Sequence, residues 1–262
     1  MRILAMVLAL YWGCGSVLAD DGRTGAYDPG LNAICALGQT QSDGCAAIRA
    51  RPILDAASAP WNAIGRVNFA STDTRQHCTG TLISDRVVLT AAHCLYNGAR
   101  KRWVPPSSVR FLAGYQRGTD IAHANGLRYI LPEGQSLDAA FDGDEGRDWA
   151  LIELAAPVSS IITPLKFAQS PVTGQTVQIA GYAGLRPHVL SQASDCGPLR
   201  AASSGLIYGI CAAMQGDSGA PVLIRQDGEL KIAGVLSRLV TLRNGQVWSE
   251  IIPVSLIRTA QK

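Results

Sequence analysis

Met214-Gln215-Gly216-Asp217-Ser218-Gly219-Ala220-Pro221 places one serine between two glycines, ahead of the apolar run Val222-Leu223-Ile224. Glycine tolerates left-handed backbone angles and close approach to a ligand, so this spacing fits a tight turn that presents Ser218. On such a turn the backbone N–H groups of Gly216 and Ser218 can face one small space, which suits an oxyanion hole. A serine hydroxyl is a weak nucleophile and needs a base within reach. His93 offers the imidazole, in Thr90-Ala91-Ala92-His93-Cys94 behind the apolar run Val87-Val88-Leu89. Asp148, in Arg147-Asp148-Trp149-Ala150-Leu151-Ile152, offers the carboxylate that would hold that ring in one tautomer.

Taken together and in the order His, Asp, Ser, these three stretches resemble the trypsin-like (chymotrypsin-fold) serine peptidases, in their bacterial secreted branch. Subtilisins and α/β-hydrolases use other orders. The resemblance runs from near Pro60 to the C-terminus. It implies an all-β fold of two six-stranded antiparallel β-barrels of the chymotrypsin type, near residues 60–160 and 161–262, with a short C-terminal helix. It implies a serine endopeptidase that works through an acyl-enzyme, with His93, Asp148 and Ser218 as the triad and no metal or cofactor. It also implies that Ser237, after Gly234-Val235-Leu236, is the serine that stands beside the triad aspartate. Two other readings use the same fold: a non-catalytic binding protein, and an esterase with the same triad. The intact set of three favours the peptidase.

Several residues depart from the family pattern. Arg238 and Leu239 stand where Trp-Gly is usual, Ala220 replaces a second glycine, and Met214 replaces a cysteine. No Ile-Val-Gly-Gly start is present, so activation by a new N-terminal ammonium is not legible and Asp217 has no assigned partner. The position six before the nucleophile, which sets charge preference in the family, is Ala212. Glutamate-specific relatives carry a histidine where Leu236 stands. Leu239 replaces the glycine that keeps the pocket wall open. A pocket of Ala212, Leu236, Ser237 and Leu239 is therefore expected to take small or medium neutral residues before the cut, not Arg, Lys or Glu.

The elements that must carry these residues are short strands between Gly/Pro-rich turns. Expected in the first half are Trp61–Phe69, His77–Ser84, Arg86–Thr90, Val109–Ala113, Leu127–Leu131 and Trp149–Leu154. Expected in the second are Thr176–Gly181, Leu206–Tyr208, Ala220–Ile224, Leu230–Leu236 and Val247–Ile251, then a helix over Pro253–Ala260. A helical turn follows His93 and leads to a basic loop, Asn97–Arg102. The acidic residues Asp138, Asp142, Asp144 and Glu145 do not match calcium-loop spacing and read as a solvated loop. His77, His123 and His188 carry no motif and read as surface or packing residues.

The chain has 262 residues, 47% hydrophobic and 16% charged, with a net charge of +3. This is a globular composition with no strong pull toward nucleic acid. The N-terminus reads as a signal peptide over residues 1–19: Arg2, an apolar core Ile3–Trp12, then the small-residue site Val17-Leu18-Ala19. That core is shorter than the roughly 20 residues of a membrane span. Residues 20–59 read as a pro-segment or N-terminal strap, and 60–262 as the peptidase domain. Of seven cysteines, Cys14 lies in the leader, and an even number in an exported chain suggests disulfides whose pairing spacing alone leaves open. The family resemblance implies Cys78–Cys94 and Cys196–Cys211 and leaves Cys35 with Cys45. The expected protein is thus a secreted or periplasmic monomer that acts on polypeptides and stays off the membrane once the leader is gone.

Overall fold

A computed structural model describes residues 42–70, 75–144, 146–158, 160–169, 173–194, 196–241 and 247–259. The leader, Cys14 and Cys35 lie outside the described residues. The first half runs β1 (Ile64–Ala70), β2 (Arg75–Leu82), β3 (Val87–Thr90), a short hairpin of β4 (Tyr96–Asn97) and β5 (Arg102–Trp103), then β6 (Val109–Ala113), β7 (Ala122–Ile130) and β8 (Ala150–Leu154). Alternation shapes these strands: in β6, Val109, Phe111 and Ala113 are buried while Arg110 faces solvent. Six of them close into a barrel in the order β1-β2-β3-β8-β7-β6. Its filling includes Leu82, Val88, Phe111, Leu151 and Ile152. The expected basic loop is instead the β4–β5 hairpin, held where Tyr96 packs edge-on against Trp103 at 5.5 Å.

The second half runs β9 (Gln178–Gly181), β10 (Ser191–Ala193), β11 (Arg200–Ala201), β12 (Ile207–Gly209), β13 (Pro221–Gln226), β14 (Glu229–Thr241) and β15 (Val247–Pro253). It is a seven-stranded sheet, ordered β10-β9-β13-β14-β15-β12-β11, where the resemblance implies a six-stranded barrel. The sheet owes its ends to β10 and β11, two short polar strands with no apolar run to mark them. The strand pattern predicts an end at Leu236, yet β14 continues to Thr241. A bulge between Leu236 and Arg238 lets its early residues pair with β13 and its later ones with β15. The polar Ser237 and Arg238 continue the strand because each finds a carboxylate, on Asp148 and Glu250 respectively.

Residues before the barrel also take part. α1 (Ser42–Ala50) buries Ile48 completely, in the same apolar cluster as Ala213, Met214 and Leu236 of the second half. The following stretch lies along β10: Leu54 N–H donates to Leu190 O at 2.9 Å and Gln192 N–H donates to Pro52 O at 3.0 Å. This helix escapes sequence reading because its only large apolar residue is Ile48. α2 (Val254–Thr259) closes the chain as expected.

Cys78 is bonded to Cys94, and Cys196 to Cys211. Cys45 is also disulfide-bonded. Asp142 and Asp144 of the acidic loop face Arg147, at 2.8 and 3.7 Å. Among the described residues no helix is long and apolar enough to cross a membrane.

Packing of Ile48 gives the first test. Ile48→Ala should lower the free energy of unfolding by about 2–5 kcal/mol, read from urea titration. A loss below about 0.5 kcal/mol, the range of ordinary surface changes, would mean that α1 does not dock.

Candidate active site

Register brings His93 and Asp148 together. β3 pairs with β8 so that Thr90 lies opposite Ala150. Asp148 leaves β8 at the same end at which the chain leaves β3 toward His93. A 3-10 turn, Ala92–Leu95, carries His93 with every residue buried, and the Cys78–Cys94 bond pins that turn to β2. His93 Nδ1 lies 2.7 Å from Asp148 Oδ2, and the His93 backbone N–H donates to Asp148 Oδ1 at 2.8 Å. Ser237 Oγ donates to Asp148 Oδ2 at 2.6 Å. Burial pushes the Asp148 carboxyl up, but the charge and hydrogen bonds of His93 and the Ser237 hydroxyl outweigh it and hold the group below the usual carboxylate range. An ionised carboxylate only accepts, so Nδ1 carries a proton and donates it to Asp148.

Ser218 comes from the other half, on the turn ahead of β13. Asp217 N–H donates to Met214 O at 3.0 Å and Ala220 N–H to Asp217 O at 2.8 Å, which curls the chain tightly. Gly216 and Gly219 sit at φ +90° and +78°. A Cβ on Gly216 would collide with Tyr182 O and come within 2.6 Å of His77 Nε2, so only glycine fits. Among the described residues neither the Gly216 nor the Ser218 N–H donates to a backbone carbonyl. Ser218 O and His93 Nε2 both lie against the Cys94 sulfur, at 3.9 and 3.8 Å. That disulfide sulfur carries no proton, so these are packing contacts that place the serine and histidine around one atom. Cys78, His93 and Cys94 form the one cluster of metal-ligand types found among the described residues. Both sulfurs are spent in the S–S bond, so the cluster offers no thiolate ligands.

The pocket residues also gather. Leu236, Leu239, Ala213 and Met214 share one buried cluster, against which Ala212 packs. Leu239 lies opposite Ser249 in the sheet. Ser249 Oγ donates to Cys211 O at 3.2 Å, next to Ala212. Sequence reasoning missed Ser249, which stands between Trp248 and Glu250 and carries no motif. Arg238 is not free to charge this pocket, because its Nε lies 2.8 Å from the buried Glu250 carboxylate.

His77, read from sequence as surface or packing, walls the turn from the side. Its Nε2 lies 2.9 Å from Tyr182 O, and a carbonyl only accepts, so this nitrogen donates. Burial and then the Arg66 charge push its pKa down to about 4, with His188 adding slightly and the bond to Tyr182 opposing.

The Trypsin family model matches residues 55–255. Glutamyl endopeptidase of Bacillus licheniformis is 25% identical over 167 residues, which is 62% of this chain and 50% of that protein. Serine protease SP24D of Anopheles gambiae is 33% identical over 169 residues, 56% of this chain and 58% of that protein. The chain thus spans about half the length of the curated relatives it matches. A solved structure of a Glu endopeptidase in complex with MPD superposes with a TM-score of 0.64 at 25% identity, covering 80% of this chain and 96% of that one.

The low pKa of His77 predicts an acid-sensitive fold. The native ring stays neutral down to about pH 4, whereas the unfolded ring takes a proton below its ordinary 6.5. This contribution to stability is complete above pH 6.5 and is lost as pH falls toward 4. Between those limits the parent should lose up to about 3 kcal/mol more than His77→Gln, measured by urea unfolding across the range. Parallel pH profiles would mean that His77 is not held neutral.

Proposed function

Because the chain belongs to the trypsin family of serine peptidases, we propose that it is an exported endopeptidase that cleaves peptide bonds through Ser218, His93 and Asp148. One observation carries this reading: a buried imidazole donates from Nδ1 to a carboxylate at 2.7 Å, while its Nε2 and Ser218 O lie 3.8 and 3.9 Å from one sulfur. Ser218 Oγ attacks the scissile carbonyl carbon and its proton passes to His93 Nε2. Asp148 holds the ring in place and stabilises the imidazolium. The Gly216 and Ser218 N–H groups receive the negative charge that develops on the carbonyl oxygen. His93 then gives its proton to the departing amine, and a water activated by the same nitrogen hydrolyses the acyl-enzyme. The leader-like residues 1–19 and the disulfides support export into an oxidising space.

Specificity follows from the pocket. Ala212 brings no charge, Leu236 stands where a glutamate-reading histidine would, and Leu239 and Ser249 face each other across strands β14 and β15. Leu239 is only 4% exposed and narrows the space. Small or medium neutral side chains fit such a site. A relative is named for glutamate, but no cation among these pocket residues would receive a carboxylate here.

Ser218→Ala should leave the unfolding midpoint unchanged and lower turnover on the order of 10⁶-fold. Activity above about a thousandth of the parent's would remove Ser218 as nucleophile. A peptide library varied at the residue before the cut should favour Ala, Val, Leu and similar residues. A preference of about tenfold or more for Arg, Lys or Glu would show that a charge outside these pocket residues reaches the substrate.

A further inference from the structure

Asp217 sits inside the Met214–Ser218 turn and is fully buried. Its Oδ2 accepts two donors, the Met214 N–H at 3.1 Å and Arg51 Nη1 at 2.8 Å. Its Oδ1 lies against Gly181, where a Cβ would stand 2.5 Å away. Arg51 is equally enclosed, its side chain 2% exposed, and its Nη2 donates to Ser191 O on β10 at 2.7 Å. The backbone around it is fastened as well: Arg186 Nη1 donates to the carbonyls of Arg49 and Arg51. Ile48 fills the core three residues before it, and Pro52 and Leu54 bond to the β10 region just after it.

A buried carboxylate needs a cation. Here a side chain from the segment ahead of the barrel supplies it, across 166 residues of sequence. We infer that Arg51 is the built-in cation that sets the oxyanion turn, a positioning residue that acts through Asp217 on the Gly216 and Ser218 N–H groups. The site therefore assembles with the strap around Arg51 in place, and no cleavage that frees a new N-terminal ammonium is needed. An ammonium would have to displace a guanidinium that already bonds Asp217 and Ser191 from a closed, apolar surrounding. This inference rests on the reading of Ser218 as the nucleophile.

The test uses the full chain with Arg51→Met and Arg51→Lys. Each protein is assayed for kcat and KM on a peptide substrate, for labelling by a serine-directed phosphonate, and for thermal unfolding. R51M should stay folded and lose about 100-fold or more in kcat, the scale of a lost oxyanion donor. KM should move by less than about threefold, because the turn stabilises the transition state and not the bound peptide. R51K returns the charge without the planar fork and should recover about tenfold of the loss. A labelled parent with an R51M variant of unchanged or raised kcat overturns this inference alone. A parent that takes no label removes the Ser218 reading and this inference with it. If R51M fails to fold, the first residue of the phosphonate-labelled parent decides. A start at or before Arg51 upholds the inference, and a start beyond it overturns it.

Discussion

Thr79 joins the two halves of the molecule at the place where chemistry needs them in register. His93 and Asp148 belong to the barrel and Ser218 to the seven-stranded sheet, so neither half by itself fixes the distance between His93 and Ser218. Thr79 on β2 reaches across with both backbone and side chain. Its N–H donates to Ser218 O at 2.9 Å, its Oγ1 donates to Gly216 O at 2.8 Å, and the same Oγ1 accepts from Tyr182 N–H at 3.1 Å. Thr90, at the end of the strand that leads to His93, donates from Oγ1 to Thr79 O at 2.8 Å. One buried threonine thus ties both sides of the turn and the His93 strand to a common origin. Gly219 belongs to this joint, since a Cβ there would collide with Thr90 Oγ1 and Thr79 O.

Around that joint, each buried carboxylate has a partner. Asp148 faces His93, Asp217 faces Arg51, and Glu250 faces Arg238. In the fully buried pair, removing Arg51 would typically cost about 3–5 kcal/mol, because Asp217 is left uncompensated out of water. These pairs therefore act as locks on geometry more than as sources of net stability. Stability comes from the apolar clusters that flank them, one that runs from the barrel into β13, β14, β15 and α2 and one that joins α1 to the second-half strands. Leu236 and Leu239, two of the residues expected to line a pocket, belong to the second cluster, so their spacing and the packing of that half are one property. Truncating Leu239 would open the core as well.

Much of this was legible in the residues. β6 stands where alternation puts it, to the residue, whereas β7 starts five residues before the expected Leu127, because Ala122 to Gly126 bring no large apolar side chain. The histidine and aspartate motifs meet because β3 and β8 pair in one register, and Thr79 ties the serine turn to them. The illegible parts share a cause: they depend on partners far away in sequence. β14 passes its polar residues without breaking because Asp148 and Glu250 answer them. α1 is a helix because one isoleucine finds a distant cavity to fill. The partner of Asp217 could not be read, since nothing near Arg51 in the chain marks it as more than a surface arginine. Ser249 was hidden in the same way, its role set by Cys211 across the sheet.

The docking of Ile48 and Arg51 also makes the second half discontinuous along the chain. Its sheet and core are built from residues on both sides of the barrel, while the barrel itself is one continuous stretch. During synthesis the barrel's strand pairs are all in hand by Leu154, although its apolar cluster also takes residues of β13 to α2. The strap must then wait, its apolar and cationic side chains unmatched, until β9 to β15 have emerged to receive them. Contacts of such long sequence separation form late. The turn around Ser218 is therefore among the last parts of the molecule to be fixed, and an incomplete chain holds the barrel's strands but not the turn's far-off partners.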